Sequence, residues 1–199
     1  MVLDAAHGGD DPGARLGSEA EKAYTLALSV RLRSLLMARG FDVVTTRESD
    51  ATVDADRRAG IANHADAQAC LSLHAAESGS GVHLFISSLA PAGGARFLPW
   101  KTAQAAFVTR SLSLAGMLNS ALSHASVAVT LGRTALPGID SMTCPAVAVE
   151  VAPERSSQRS SDAQGSASLD DPDYQARVAE ALAAALVEWR ADERGERQP

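Results

Sequence analysis

The segment Pro145-Ala-Val-Ala-Val-Glu-Val151 is the strongest strand candidate in the sequence. Apart from Glu150 it is apolar throughout, as expected of a strand that is covered on both faces. A second short apolar run, Ala69-Cys-Leu-Ser-Leu-His74, has the same character. Strands buried on both faces are typical of proteins in which helices pack against a sheet. Both segments therefore predict an α/β fold.

Helical patterns alternate with these strands along the chain. Apolar residues recur at helical spacing from Tyr24 to Leu36, and Gly40 stands where a C-cap glycine is expected. This alternation supports the α/β prediction. The other predicted segments are strands at 1–5, 41–46, 82–87 and 126–131, and helices at 54–64, 101–124 and 174–189.

Length and composition indicate one globular domain. The chain has 199 residues, of which 46% are hydrophobic and 21% charged, close to the average of folded proteins. We predict one folded domain over residues 1–190, with a polar loop at 153–171, and a flexible tail over residues 191–199. No apolar run is long enough to span a membrane. The start of the sequence lacks the pattern of a secretion signal, which leaves an upstream leader open.

The charge balance argues against nucleic acid as a partner. The formal net charge is −6, and aromatic residues make up 4% of the chain. Binding to a phosphate backbone needs clustered positive charge, and base stacking needs aromatic side chains. We therefore expect no nucleic-acid partner.

Three residues at predicted strand or helix ends are candidate metal ligands: His7, Glu21 and His74. A catalytic zinc ion commonly takes two histidines and one glutamate and keeps a fourth position for water. Each residue also has a structural alternative. Glu21 could close a capping box with Ser18, His74 could be a core histidine, and His7 could be a turn residue. His64, His83 and His124 show no pattern that places them in a site.

Glu150 is a candidate general base because it interrupts an otherwise apolar strand. A carboxylate in such a strand is costly unless it is paired or faces a cleft. The structural alternative is a buried salt bridge to Arg47 or Arg57.

The two cysteines, Cys70 and Cys144, enter apolar segments. We predict that they serve as small buried hydrophobic residues, and whether they pair stays open. Nucleophilic serine chemistry is not indicated, because no G-x-S-x-G motif is present.

Six short motifs, in order, resemble the zinc-dependent N-acetylmuramoyl-L-alanine amidases of the LytC/AmiC type, the Amidase_3 family. They cover nearly the whole chain, and their order and spacing make the resemblance specific. The motifs are Val2–Ala14, Glu21-Lys22, Thr46-Arg47, Arg57 with Ala62-Asn63, Ala65-Asp66 leading to Leu71–His74, and Pro145–Glu150.

The resemblance implies one domain with a mixed, mostly parallel twisted sheet and helices on both faces. It also implies one zinc ion held by His7, Glu21 and His74, with Glu150 as the catalytic glutamate. The implied reaction is hydrolysis of the amide between N-acetylmuramic acid and the L-alanine of the peptidoglycan stem peptide, during cell-wall remodelling or cell separation.

The resemblance further implies peptidoglycan as the partner, a periplasmic or other extracytoplasmic location, and regulation by an activator protein in some members. We expect a monomer. The sequence departs from the family pattern at Ala6, Ala76 and Ala152. These departures keep two alternatives open, a catalytically impaired peptidoglycan-binding or regulatory module of the same fold and a zinc peptidase acting within the stem peptide.

Overall fold

The computed structural model describes residues 1–92, 98–155 and 167–195. The strands are β1 (Val2–Ala5), β2 (Arg15–Leu16), β3 (Glu19–Ala20), β4 (Val44–Thr45), β5 (Cys70–Ala75), β6 (Val82–Ser87), β7 (Val129–Thr134) and β8 (Ala146–Val151). The helices are α1 (Glu21–Ala38), α2 (Ala55–His64), α3 (Val108–His124), α4 (Pro137–Asp140) and α5 (Pro172–Gly195), and a 3₁₀ helix (Trp100–Ala106) precedes α3. None of the described helices combines the length and the apolar composition that crossing a membrane requires.

One six-stranded sheet organises the fold, in the order β4-β1-β5-β8-β6-β7. Strands β4, β1, β5 and β8 pair in parallel. Strand β6 runs antiparallel to β8 and parallel to β7, while β2 and β3 form a separate antiparallel pair. The predicted α/β fold with a mixed, mostly parallel sheet is confirmed. The carboxyl ends of β1, β5 and β8 therefore share an edge of the sheet with the amino end of β6.

Different helices cover the two faces of the sheet. Leu71 and Val147 point into a large core that includes residues of α1, α3 and α5. Their chain neighbours Cys70 and Ala146 point into a smaller core that includes residues of α2 and α4. We call the second face the α2/α4 face. Helices on both faces, as predicted, cover the sheet and leave its edges as the places where side chains can meet a ligand.

Cys70 and Cys144 are buried, as predicted, and form a disulfide, the pairing that the sequence left open. Their Cα atoms lie 6.2 Å apart although the residues are 74 positions apart in sequence. Cys70 begins β5 and Cys144 precedes β8, and both are buried on the α2/α4 face. The disulfide thus joins two neighbouring central strands.

The helix predicted over residues 101–124 is broken at Phe107, between the 3₁₀ helix and α3. Gln104 of the 3₁₀ helix is buried and donates two hydrogen bonds of 3.0 Å, to the carbonyls of Met142 and Cys144. Ser111 of α3 donates to the Gln104 side chain at 2.5 Å. Buried backbone carbonyls ahead of β8 need donors, and the break brings Gln104 to them.

Helix α5 continues to Gly195, beyond Arg190, where the sequence predicted a flexible tail. Glu193 in this last part is buried and pairs with Arg110 of α3. The end of the tail, residues 196–199, lies outside the described residues. Most of the loop predicted at 153–171 also falls on residues 156–166, which lie outside them.

Candidate metal centre

Three side chains from distant parts of the sequence meet at the carboxyl edge of the sheet. His7 follows β1, Glu21 begins α1, and His74 lies near the end of β5. One possible ligand atom from each lies within 4.8 Å of the other two. Oε2 of Glu21 is 3.1 Å from Nε2 of His7, and Oε1 is 3.0 Å from Nδ1 of His74. The residues predicted to be metal ligands therefore lie together.

Glu21 does not form the capping box with Ser18 that was the structural alternative to metal binding. The N-cap of α1 is Ala20, which makes no side-chain capping bond, and Glu21 is the first helical residue. A capping box needs its glutamate three residues after the cap, so the capping box with Ser18 is wrong. The Glu21 side chain turns instead toward the two histidines.

The Glu21 carboxylate is buried but well supplied with hydrogen-bond donors. The backbone N–H groups of Ala14 and Ala75 donate to it at 2.9 and 3.1 Å. Burial alone would raise the pKa of Glu21, but hydrogen bonds from His7, His74 and these amides hold it far below its ordinary value. Glu21 is therefore ionised, which is the form that binds a metal.

His7 is held by its own loop. Its backbone has a φ of +61°, and its Nδ1 lies 2.8 Å from Oδ2 of Asp11. The hydrogen bond to Glu21, and secondarily the one to Asp11, raises the pKa of His7 against the effect of burial. Gly13 packs against the ring, where a Cβ would come within 2.6 Å of Cδ2. A histidine that turns one nitrogen to a carboxylate and the other to a metal site is a common arrangement in zinc proteins.

The donor set fits a zinc ion. Ligand atoms around tetrahedral zinc, at bond lengths of about 2.0–2.2 Å, lie about 3.3–3.6 Å apart. Nε2 of His7 and Nδ1 of His74 lie 3.1 and 3.0 Å from the two different carboxylate oxygens of Glu21, and one candidate ligand atom from each residue lies within 4.8 Å of the other two. Two histidines with one glutamate also form one of the usual protein ligand sets of catalytic zinc. Small side-chain shifts would bring the three donors to zinc-binding distances.

Arg47 links the loop that carries His7 to the start of α1. It is buried, and its guanidinium donates to the carbonyls of Ala5, Ala6 and Lys22 at 2.9, 3.0 and 2.7 Å. These carbonyls flank two of the candidate ligands in sequence. Arg47 thus fixes the relative position of the backbone at His7 and Glu21, and it makes no salt bridge with Glu150.

Arg58 fixes the same loop from the α2/α4 face. It forms a buried salt bridge with Asp4 at 2.6 Å and donates to the carbonyls of Ala5 and His7, each at 2.6 Å. Arg57, the predicted alternative partner of Glu150, is exposed. The residue with the structural role is therefore its neighbour.

Glu150 lies beside the cluster but is bound differently. It is directly opposite His74 in the pairing of β5 with β8. Its Oε1 is 2.9 Å from Nδ1 of His83, so the alternative of a salt bridge to Arg47 or Arg57 is wrong. Glu150 is half-buried, and its carboxylate is on the side of the sheet that carries His74.

His83 belongs to the site although nothing in its sequence pattern placed it there. It is the second residue of β6, and β6 runs opposite to β8, so its amino end lies at the edge where Glu150 ends up. If β6 ran parallel to β8, His83 would lie at the opposite edge of the sheet from Glu150. One sequence signal could have found His83. It is a polar residue within the apolar segment of β6, as Glu150 is within the apolar segment of β8.

A cavity of about 500 Å³ opens next to the cluster. Its polar side is formed in part by His7, His74 and Arg58, and its apolar side in part by Leu136 and Ile139. The site can therefore receive a ligand with both polar and apolar parts next to the three candidate ligands.

The sequence of the chain matches a known protein family. The Amidase_3 family, described as N-acetylmuramoyl-L-alanine amidase, matches residues 1–188. The chain belongs to the Amidase_3 family. The match spans all four predicted site residues, since they lie between positions 7 and 150.

Individual N-acetylmuramoyl-L-alanine amidases resemble the chain in sequence and fold. A germination-specific N-acetylmuramoyl-L-alanine amidase of Bacillus subtilis (strain 168) is 35% identical over 88 residues, which are 37% of this chain and 37% of that protein. The chain thus matches well under half the length of that relative.

Two solved structures share the fold over nearly the whole chain. The catalytic domain of CwlV, an N-acetylmuramoyl-L-alanine amidase from Bacillus (Paenibacillus) polymyxa var. colistinus, has a TM-score of 0.71 at 25% identity, covering 96% of this chain and 97% of that one. The CwlD amidase of Clostridioides difficile, solved in complex with the GerS lipoprotein, has a TM-score of 0.70 at 21% identity, covering 96% and 97%.

Proposed function

We propose that this chain is a zinc-dependent hydrolase that cleaves the amide between N-acetylmuramic acid and L-alanine in peptidoglycan. The observation that carries the proposal is the convergence of His7, Glu21 and His74 beside Glu150, in a member of an amidase family. A catalytically inactive relative would have no need to keep both the three candidate metal ligands and the neighbouring carboxylate.

In this proposal the residues have separate roles. A zinc ion held by His7, Glu21 and His74 would polarise the scissile carbonyl and lower the pKa of water to about 7. Glu150 accepts the proton that the attacking water gives up, then donates it to the amide nitrogen as the C–N bond breaks. Both the new carboxylate and the free amine of L-alanine then leave the site.

The proposed setting is the cell envelope outside the cytoplasm, where peptidoglycan lies. The Cys70–Cys144 disulfide supports this setting, because protein disulfides persist mainly in oxidising compartments. The protein acts there as a monomer. An activator protein is a further proposed partner, because CwlD is seen in complex with a lipoprotein.

Digestion of purified sacculi tests the proposal. The purified chain should contain about one zinc ion, and digestion should release new amine termini on L-alanine. Chelation should stop the release, and added zinc should restore it. Activity that appears only after an envelope extract is added would place the activator in the mechanism.

The same experiment separates the alternatives. New amine termini on other residues of the stem peptide would indicate a zinc peptidase. Binding to sacculi without release of any amine, by the zinc-loaded protein with or without extract, would indicate a binding or regulatory module and would contradict the proposed activity.

A further inference from the structure

Three polar residues lie side by side across the central strands. In the strand pairing, Glu150 of β8 is directly opposite His74 of β5 on one side and His83 of β6 on the other. Directly opposed residues of neighbouring strands place their side chains on the same face of a sheet. The row therefore runs from a candidate metal ligand, through the proposed base, to a histidine that has no role in the proposed mechanism.

The contact within this row is specific. Nδ1 of His83 is 2.9 Å from Oε1 of Glu150. An ionised carboxylate can only accept hydrogen bonds, so the histidine nitrogen must be the donor. Within the described ranges, no group donates to the other oxygen, Oε2. The hydrogen bond therefore occupies one oxygen of Glu150 and leaves the second one available to water.

The His83 ring is itself held in place. Gly79 lies against it so closely that a Cβ at position 79 would come within 2.2 Å of Cε1. Phe85 meets the ring edge-on, with the ring centroids 6.4 Å apart. The His83 side chain is 18% exposed. A donor fixed in this way can fix its acceptor.

We propose that His83 is a positioning residue, which orients the Glu150 carboxylate so that Oε2 faces the attacking water. The inference rests on the proposed hydrolase function and adds a residue to it. His64 and His124 lie on helices and have no contact with a carboxylate among the described residues. Nδ1 of each lies 2.8 Å from a backbone carbonyl of its own helix. They provide matched controls.

Steady-state hydrolysis of a soluble muropeptide by zinc-loaded variants tests the role. His83→Ala should lower kcat about 10- to 100-fold, the loss typical of hydrogen-bond partners that orient the side chains of a metal site. KM, zinc affinity and the thermal midpoint should stay near the parental values, because the variant removes an orientation of Glu150 and no ligand. His124→Ala should match the parent in all four measurements.

A rescue variant separates positioning from general packing. In His83→Asn the side-chain amide can donate from near the position of Nδ1, so it should recover most of the lost kcat. His83→Leu, which fills space without a donor, should behave like His83→Ala. This pair of variants also decides the matter if the alanine variant is unstable.

The outcomes distinguish the two proposals. A parental protein that has bound zinc and hydrolyses nothing, with or without the envelope extract, would contradict the proposed function itself. With an active parent, a kcat of His83→Ala within about twofold of the parent would overturn the positioning role. So would a parallel loss of zinc affinity, or equal activity of the asparagine and leucine variants.

Discussion

The two sides of the candidate site are held in very different ways. On the metal side, Glu21 contacts two histidines and two backbone amides, and its side chain is 6% exposed. On the other side, Glu150 has His83 as its partner among the described residues, and its side chain is 32% exposed. Ligands must keep their geometry before the ion arrives, whereas a base must exchange a proton with water and with the leaving group. A rigid side and a lightly held side suit these two tasks.

The largest expected effect comes from removing one group on each side. Glu150→Ala should lower turnover by about 10²- to 10⁴-fold, the usual contribution of a general base, and should leave zinc bound. His74→Ala should lose both zinc and turnover, because one of three ligands is gone. Metal analysis and sacculus digestion measure both. Parental digestion by Glu150→Ala would show that the base is a different group.

The buried pair beneath the metal side gives the next effect. Asp4→Ala leaves the Arg58 guanidinium buried without its 2.6 Å partner, and such a loss costs about 3–5 kcal/mol of unfolding free energy. Urea unfolding measures it. The control is Glu48→Ala, which removes an exposed pair with Arg33 and should cost less than about 1 kcal/mol. If Asp4→Ala and Glu48→Ala lowered the unfolding free energy equally, the metal side would not be the more rigid side of the site.

The disulfide ties the strand of His74 to the strand of Glu150. Replacing both Cys70 and Cys144 by alanine should lower the unfolding free energy by about 2–4 kcal/mol. Turnover should change little, because the bridge lies at the opposite ends of β5 and β8 from the site. Unfolding of the parent with and without reductant, beside the double variant, checks this. A parent that is insensitive to reductant would contradict it.

The smallest effect sharpens the metal side further. Asp11→Ala removes the carboxylate that lies 2.8 Å from Nδ1 of His7, and zinc affinity should fall about 10- to 100-fold. Competition with a chromophoric chelator measures the affinity. Asp10→Ala, the adjacent exposed carboxylate, is the matched control and should bind zinc like the parent.

The three candidate metal ligands could be found from the sequence. His7 and His74 follow or end apolar strands, and Glu21 begins a clear helical pattern, so their meeting at one edge could be predicted. Glu150 could be found because a lone carboxylate in a buried strand needs a reason. The order of strands and helices made these residues candidates, and the family resemblance favoured the metal site over their structural alternatives.

What the sequence did not reveal depends on three-dimensional detail. The place of His83 depends on the direction of β6, and an apolar alternation does not tell direction. Arg57 and Arg58 are adjacent, and the phase of α2 decides which of them is buried. The pairing of Cys70 with Cys144 depends on β5 and β8 being neighbours, which a separation of 74 residues does not indicate.

The cysteine bridge also bears on when the protein becomes complete. Cys144 leaves the ribosome and any export channel long after Cys70, so oxidation can join the two strands only when most of the chain has passed. In the proposed extracytoplasmic setting, the full stability of the domain is then gained at its destination. A copy retained in a reducing cytoplasm would lack the disulfide and would be less stable. It would therefore be a better substrate for proteolysis, on the side of the membrane where there is no wall to cut.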